Sequence, residues 1–76
     1  MNISGVLVQA YPEKIESVGK KLLKMVGVEV HGNNDDGRIV VTVEQDDANQ
    51  MTDVLTNMQT LPGVLSASMI YHQFEE

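Results

Sequence analysis

The stretch Val28-Glu29-Val30-His31-Gly32-Asn33-Asn34-Asp35-Asp36-Gly37-Arg38-Ile39-Val40-Val41-Thr42-Val43-Glu44 decides the fold. Val28 and Val30 alternate with Glu29 and His31, and beyond a cluster of Gly, Asn and Asp the alternation resumes at Ile39, Val41 and Val43. Successive side chains of a strand point to opposite faces, so period two on both sides of turn-tolerant residues predicts a β-hairpin. Upstream, Val6 and Val8 alternate with Leu7 and Gln9, which predicts a strand over about Ile3 to Ala10. From Pro12 the apolar positions become Ile15, Val18, Leu22 and Met25, with Glu13 early, Lys20, Lys21 and Lys24 late, and Gly27 at the stop. Spacings of three and four with charges matched to the dipole predict an amphipathic helix. Downstream, Asp46 or Asp47 can cap a second helix with an apolar face of Met51, Val54, Leu55, Met58 and Leu61, which Pro62-Gly63 ends before a last strand.

The order is therefore βαββαβ, and its halves repeat weakly. A shift of 36 positions lays Ile15 on Met51, Val18 on Val54, Leu22 on Met58, Met25 on Leu61, Gly27 on Gly63 and Val28 on Val64. Two strand-helix-strand units joined by right-handed crossovers make a ferredoxin-like α+β sandwich: a four-stranded antiparallel sheet, order 4-1-3-2, with both helices on one face. At 76 residues the expectation is one domain over 1–76.

Composition narrows the function. With no Cys there is no disulfide framework and no thiolate ligand or nucleophile, which suits a reducing compartment. Met1-Asn2-Ile3-Ser4-Gly5 lacks a basic n-region and long apolar run, and no later run is long enough to span a bilayer, so a soluble protein that stays where it is made is expected. Five basic against eleven acidic residues give a formal charge of −6, which disfavours nucleic acid and anionic membranes and favours a cationic partner, unless the acid serves only solubility.

A one-sided sandwich leaves one sheet face open. If Val6, Val8, Val28, Val30, Ile39, Val41 and Val43 point to the helices, Leu7, Gln9, Glu29, His31, Val40, Thr42 and Glu44 point outward. In the last strand Ala67, Met69 and Tyr71 suit the core, while Ser66, Ser68, Ile70 and His72 suit the open side. Leu7, Val40 and Ile70 would form an aliphatic cluster on three adjacent strands, a candidate contact surface when rimmed by polar groups. Taking the first and third strands as parallel, Gln9 and Glu44 end at one rim where Glu29 begins, with Asp46 and Asp47 just beyond. Carboxylates there suit a guanidinium, whose planar fork takes bidentate charge-assisted bonds.

Equipment for catalysis is missing. His31 and His72 fall on opposite edge strands without a second ligand at close spacing, so neither a metal site nor a catalytic histidine is expected. Arg38, beside the hairpin turn, is in no phosphate-cradling loop, and the open face lacks the stacked aromatics of ferredoxin-like RNA binders. Met25, Met51, Met58 and Met69 read as core packing rather than a sulfur site, and no cofactor is expected.

Three blocks carry a resemblance: Gly5-Val6-Leu7-Val8-Gln9-Ala10, Gly37-Arg38-Ile39-Val40-Val41-Thr42-Val43-Glu44, and Gly63-Val64-Leu65-Ser66-Ala67-Ser68-Met69-Ile70-Tyr71-His72-Gln73, with the acidic tail Glu75-Glu76. Together they resemble the NapD-type maturation chaperones of the periplasmic nitrate reductase, and the Tyr-His-Gln ending is the most specific part. One departure is Tyr11-Pro12 at the start of the first helix, where a Ser-type cap is typical. The resemblance implies a cytoplasmic, non-enzymatic chaperone that binds the twin-arginine signal peptide of the reductase's catalytic subunit and delays export until the cofactor is inserted. On that reading Leu7, Val40, Thr42 and Ile70 contact the apolar part of the peptide, Ser66 and Ser68 leave room for it beside Ile70, Glu29 and Glu44 with Gln9 receive the arginines, and His72 stands at the rim. Peptide addition at a sheet edge is the other binding mode. An ACT-type small-molecule-binding regulatory domain, which shares the fold, is the competing class, and an unspecific adaptor is a third. The sequence leaves oligomeric state open, with a monomer as the expectation.

Overall fold

Nine residues of alternating character, Asn2–Ala10, form the first strand, β1. The structure, a computed structural model, describes residues 1–74; the acidic tail Glu75-Glu76 lies outside the described residues. After β1 come a single 3-10 turn at Pro12–Lys14, helix α1 at Ile15–Leu23, the hairpin strands β2 at Val28–Asn33 and β3 at Arg38–Gln45, helix α2 at Ala48–Gln59, and β4 at Val64–Phe74. The sheet order is β2-β3-β1-β4 with every neighbouring pair antiparallel, the arrangement expected of a ferredoxin-like sandwich.

One element of the expected geometry is corrected. β1 and β3 run antiparallel, with Gln9 opposite Arg38, Leu7 opposite Val40, Gly5 opposite Thr42 and Ile3 opposite Glu44. A right-handed crossover makes β1 parallel to β2, and the hairpin then reverses β3, so Gln9 and Glu44 stand at opposite ends of the sheet.

The helix ends also differ from expectation. Tyr11 supplies no side-chain cap, and Pro12 opens the 3-10 turn before α1. α1 closes at Leu23 because Lys24 and Met25 donate to Lys21 and Leu22, tightening the last turn. In both halves the glycine lies beyond a further turn, where its carbonyl receives a neighbouring strand: Glu44 N–H donates to Gly27 O (2.8 Å) and Tyr11 N–H to Gly63 O (3.0 Å). The internal repeat is thus structural, each glycine tying a second strand to the other half. At α2, Asp47 is the cap, accepting from Asn49 N–H at 2.6 Å.

The core lies between the helices and one sheet face, where Val6, Val8, Ala10, Ile39, Val41, Val43, Val28 and Ala67 meet Val18, Leu22, Met51 and Met58. Ile15, Met25, Val30, Val54, Leu55, Leu61 and Val64 pack around it, half-buried. Met69 departs from its expected burial: it pairs with Val6 on the helix side, yet is 46% exposed on an edge strand that has no neighbouring strand on its outer flank among the described residues.

Two irregularities in β4 decide which residues share the open face. Between Ala10 and Gln9 the partner strand carries one extra residue, Leu65, and between Val6 and Gly5 it carries another, Ile70. An extra residue inverts the alternation beyond it. Ser66 and Ser68 stand opposite Gln9 and Leu7, on the open face as expected. Past Ile70 the parity flips: Tyr71 stands opposite Gly5 on the open face, and His72 opposite Ser4 on the helix side.

Candidate functional site

On the open face, cross-strand pairing sets the side chains in rows. At the hairpin end lie Ser66, Gln9 and Arg38; next come Ser68, Leu7, Val40 and Gly32; then Tyr71, Gly5, Thr42 and Glu29; and last Gln73, Ile3 and Glu44. The second row is aliphatic, with Val40 44% exposed and Leu7 half-buried beside it. The third and fourth hold the two carboxylates diagonally across neighbouring strands. Of the expected site, the structure therefore brings together Leu7, Val40, Thr42, Ser68, Glu29 and Glu44.

Three expected residues stand elsewhere or differently. Gln9 is at the hairpin end, where its Nε2 donates to the carbonyl oxygens of Asp36 (2.9 Å) and Ala10 (3.3 Å), so it belongs to the turn and not to the carboxylate end. His72 leaves the open face because the extra residue at Ile70 reverses its parity. Asn2 Nδ2 donates to the Asp46 carbonyl oxygen (3.3 Å), leaving Asn2 Oδ1 to accept from His72 Nε2 (3.2 Å) on the helix side. Ile70 is the unpaired residue of the irregularity, 58% exposed, and Ser68 takes the place opposite Leu7. Asp47 is engaged by its capping bond rather than open toward the rim.

Sequence reasoning missed Tyr71. Its ring occupies the space in which a side chain at Gly5 would stand, in contact with the glycine, which is buried beneath it. The signal was the glycine itself, since a strand glycine marks a place where something approaches the backbone closely. His31 reaches the open face as expected, but as the extra residue in β2 between Val30 and Gly32. Its Nε2 shares a 2.7 Å hydrogen bond with Thr42 Oγ1 and stands 3.8 Å from Glu29 Oε2.

The charge distribution is lopsided. All four lysines lie on the 3-10 turn, α1 and the residue after it, while the open face carries Glu29 and Glu44 with Arg38 at the far end. Such a face can hold an extended or helical segment that is apolar along one part and cationic at the Tyr71 end.

Comparison with known proteins agrees in family and in fold. The NapD family (NapD protein) matches over residues 1–76. The chain belongs to the NapD family. Chaperone NapD of Escherichia coli K12 is 31% identical over 75 residues, covering 97% of this chain and 86% of the relative, and Chaperone NapD of Shigella flexneri is equally similar. The solution structure of the E. coli Tat proofreading chaperone NapD superposes with a TM-score of 0.86 at 31% identity, covering 97% of this chain and 79% of that one. A hypothetical protein of Pyrococcus horikoshii shares the fold, with a TM-score of 0.85 at 22% identity over 100% of this chain and 93% of that one. The named NapD relatives are chaperones and not enzymes, so the reading of a non-catalytic protein rests on them, and they lend the ACT-type alternative no support. Among the described residues no helix is long and apolar enough to cross a membrane.

Proposed function

We propose that this member of the NapD family is a cytoplasmic proofreading chaperone. It binds the twin-arginine signal peptide of the periplasmic nitrate reductase catalytic subunit and holds the precursor back from export until its cofactor is inserted. Family membership over the whole chain carries this reading. The open sheet face supports it, being apolar along Leu7 and Val40 and acidic at Glu29 and Glu44, and a twin-arginine peptide has paired arginines ahead of an apolar stretch.

Residues Ile3 to Gln9 of β1 span about 20 Å at ~3.4 Å per residue, the length of a helical segment of ~13 residues at 1.5 Å each. A peptide laid along the face sets its apolar side on Leu7, Val40 and Thr42, with room over Ser68, and its arginines toward Glu44 and Glu29. Addition at an edge is disfavoured by the extra residues in both outer strands, at His31 in β2 and at Leu65 and Ile70 in β4, which break the regular ladder an added strand copies.

Calorimetric titration with the signal peptide of the reductase precursor tests the reading. Binding is expected, with Glu44→Gln weakening it and flattening its salt dependence, and Leu7→Ser weakening it without changing the salt slope. Unchanged affinity at low salt for both variants refutes the sheet-face mode, and no binding by the unaltered chain refutes the function.

A further inference from the structure

We infer that Tyr71 is the surface on which an arginine of the bound peptide rests, and that it sets the preference of the face for guanidinium over ammonium. This rests on the peptide-binding reading above and adds the residue that discriminates the cation.

Three observations converge on the ring. The extra residue at Ile70 turns Tyr71 out of the core, so that from edge strand β4 its ring lies over Gly5 of β1 and is 46% exposed on the open face. Gly5 has no side chain, so the ring can take the space above β1 at that position. Along the same row lie Thr42 and then Glu29, with Glu44 diagonal to Glu29, so the cation's two carboxylate partners are on the side toward which an arginine crossing the ring would point. Strands are ~4.8 Å apart, which puts Glu29 about 10 Å from Gly5, within the combined reach of an arginine and a glutamate side chain.

The basic side chains of the chain itself stand away from the ring. Arg38 pairs with Gln9, two rows from Gly5, and all the lysines belong to the helix layer. His31, which bonds Thr42 and stands 3.8 Å from Glu29, is on β2, at the opposite edge of the sheet from Tyr71. An exposed aromatic ring facing two carboxylates across the sheet, with no lysine or arginine of the described residues in its row, is the chemistry of a cation cradle. A guanidinium is planar and weakly hydrated, so it can stack on the ring while its N–H groups fork to a carboxylate; an ammonium is compact and strongly hydrated and gains less from the ring.

The test is a set of three peptides carrying Arg-Arg, Lys-Lys or Gln-Gln at the paired positions, titrated calorimetrically into the unaltered chain, Tyr71→Phe and Tyr71→Leu. Tyr71→Phe is expected to bind Arg-Arg within about twofold of the unaltered chain, and Tyr71→Leu to lose about 3- to 30-fold toward Arg-Arg while changing Gln-Gln by less than about twofold. The Arg-Arg over Lys-Lys preference then collapses in Tyr71→Leu alone. Equal loss toward all three peptides, or no loss, overturns the role of Tyr71 while Arg-Arg binding by the unaltered chain leaves the function standing. Failure of the unaltered chain to bind Arg-Arg overturns the function itself and this inference with it. Should Tyr71→Leu not fold, as judged by circular dichroism, Gly5→Ala displaces the ring without removing it and carries the same three-peptide comparison.

Discussion

Replacing Gly5 by alanine asks whether the Tyr71 ring owes its place to a missing side chain. A Cβ at Gly5 would lie 2.6 Å from Tyr71 Cδ1 and 2.8 Å from Cζ, and closer still to Cε1, whereas ordinary contact begins at 3.4 Å. The ring must retreat by about 1 Å or take another rotamer, which it can do because it is the far end of a half-exposed side chain. Two energies oppose each other. Alanine in a strand is favoured over glycine by about 0.5–1 kcal/mol. A ring that left entirely would expose the buried half of a side chain that covers ~200 Å², or about 100 Å² and 2.5 kcal/mol. The net loss is then no more than about 2 kcal/mol, a fall in Tm of at most ~15 °C for a chain this small. Affinity for the Arg-Arg peptide, by contrast, falls by about as much as in Tyr71→Leu, ~3- to 30-fold. Thermal unfolding followed by circular dichroism measures the first, and calorimetry the second. In proton NMR of the unaltered chain, the Gly5 α-protons carry a ring-current shift that the variant loses. Absence of that shift, together with unchanged affinity in Gly5→Ala, refutes the placement of the ring and the reasoning built on it.

Further outcomes follow from the same geometry. Ser4 Oγ is fully buried without a hydrogen-bond partner among the described residues, so Ser4→Ala is expected to raise stability by about 1 kcal/mol in urea denaturation; a loss of that size contradicts it. His72→Ala removes a bond to Asn2 on the helix side and costs about 1 kcal/mol of stability, while peptide affinity stays within about twofold; a larger fall in affinity restores His72 to the site. Gly37 has φ +93 and its added Cβ would run into the Ala10 carbonyl oxygen, so Gly37→Ala is expected to cost at least about 1–3 kcal/mol, and an unchanged denaturation midpoint speaks against that turn.

Where sequence reasoning succeeded, one rule about neighbours along the chain was enough. Period two placed Leu7, Val40, Thr42 and Glu44 outward because β1 and β3 are paired without interruption from Asn2 to Gln9. The helix face of Val18, Leu22, Met51 and Met58 followed from spacings of three and four. The parallel assignment of β1 and β3 failed by overlooking that a hairpin reverses direction, and it misplaced Gln9.

The last strand shows a different kind of failure. Ser66 through His72 has no glycine or proline to announce an irregularity, so alternation was carried through Ile70 and put Tyr71 in the core and His72 at the binding rim. What decides the extra residue is the partner strand: Gly5, sixty-six positions away from Tyr71, leaves open space that the ring fills.

The amino-acid sequence by itself determined the βαββαβ order, the one-sided core, the acidic and aliphatic character of the open face, and the family, because each depends on local periodicity, composition or a joint pattern of residues. Only the tertiary structure decided which end of that face is acidic and which aromatic ring stands there. Strand direction and register are properties of pairs of segments far apart in the chain, and a single unpaired residue, Ile70, exchanges the faces of Tyr71, His72 and Gln73.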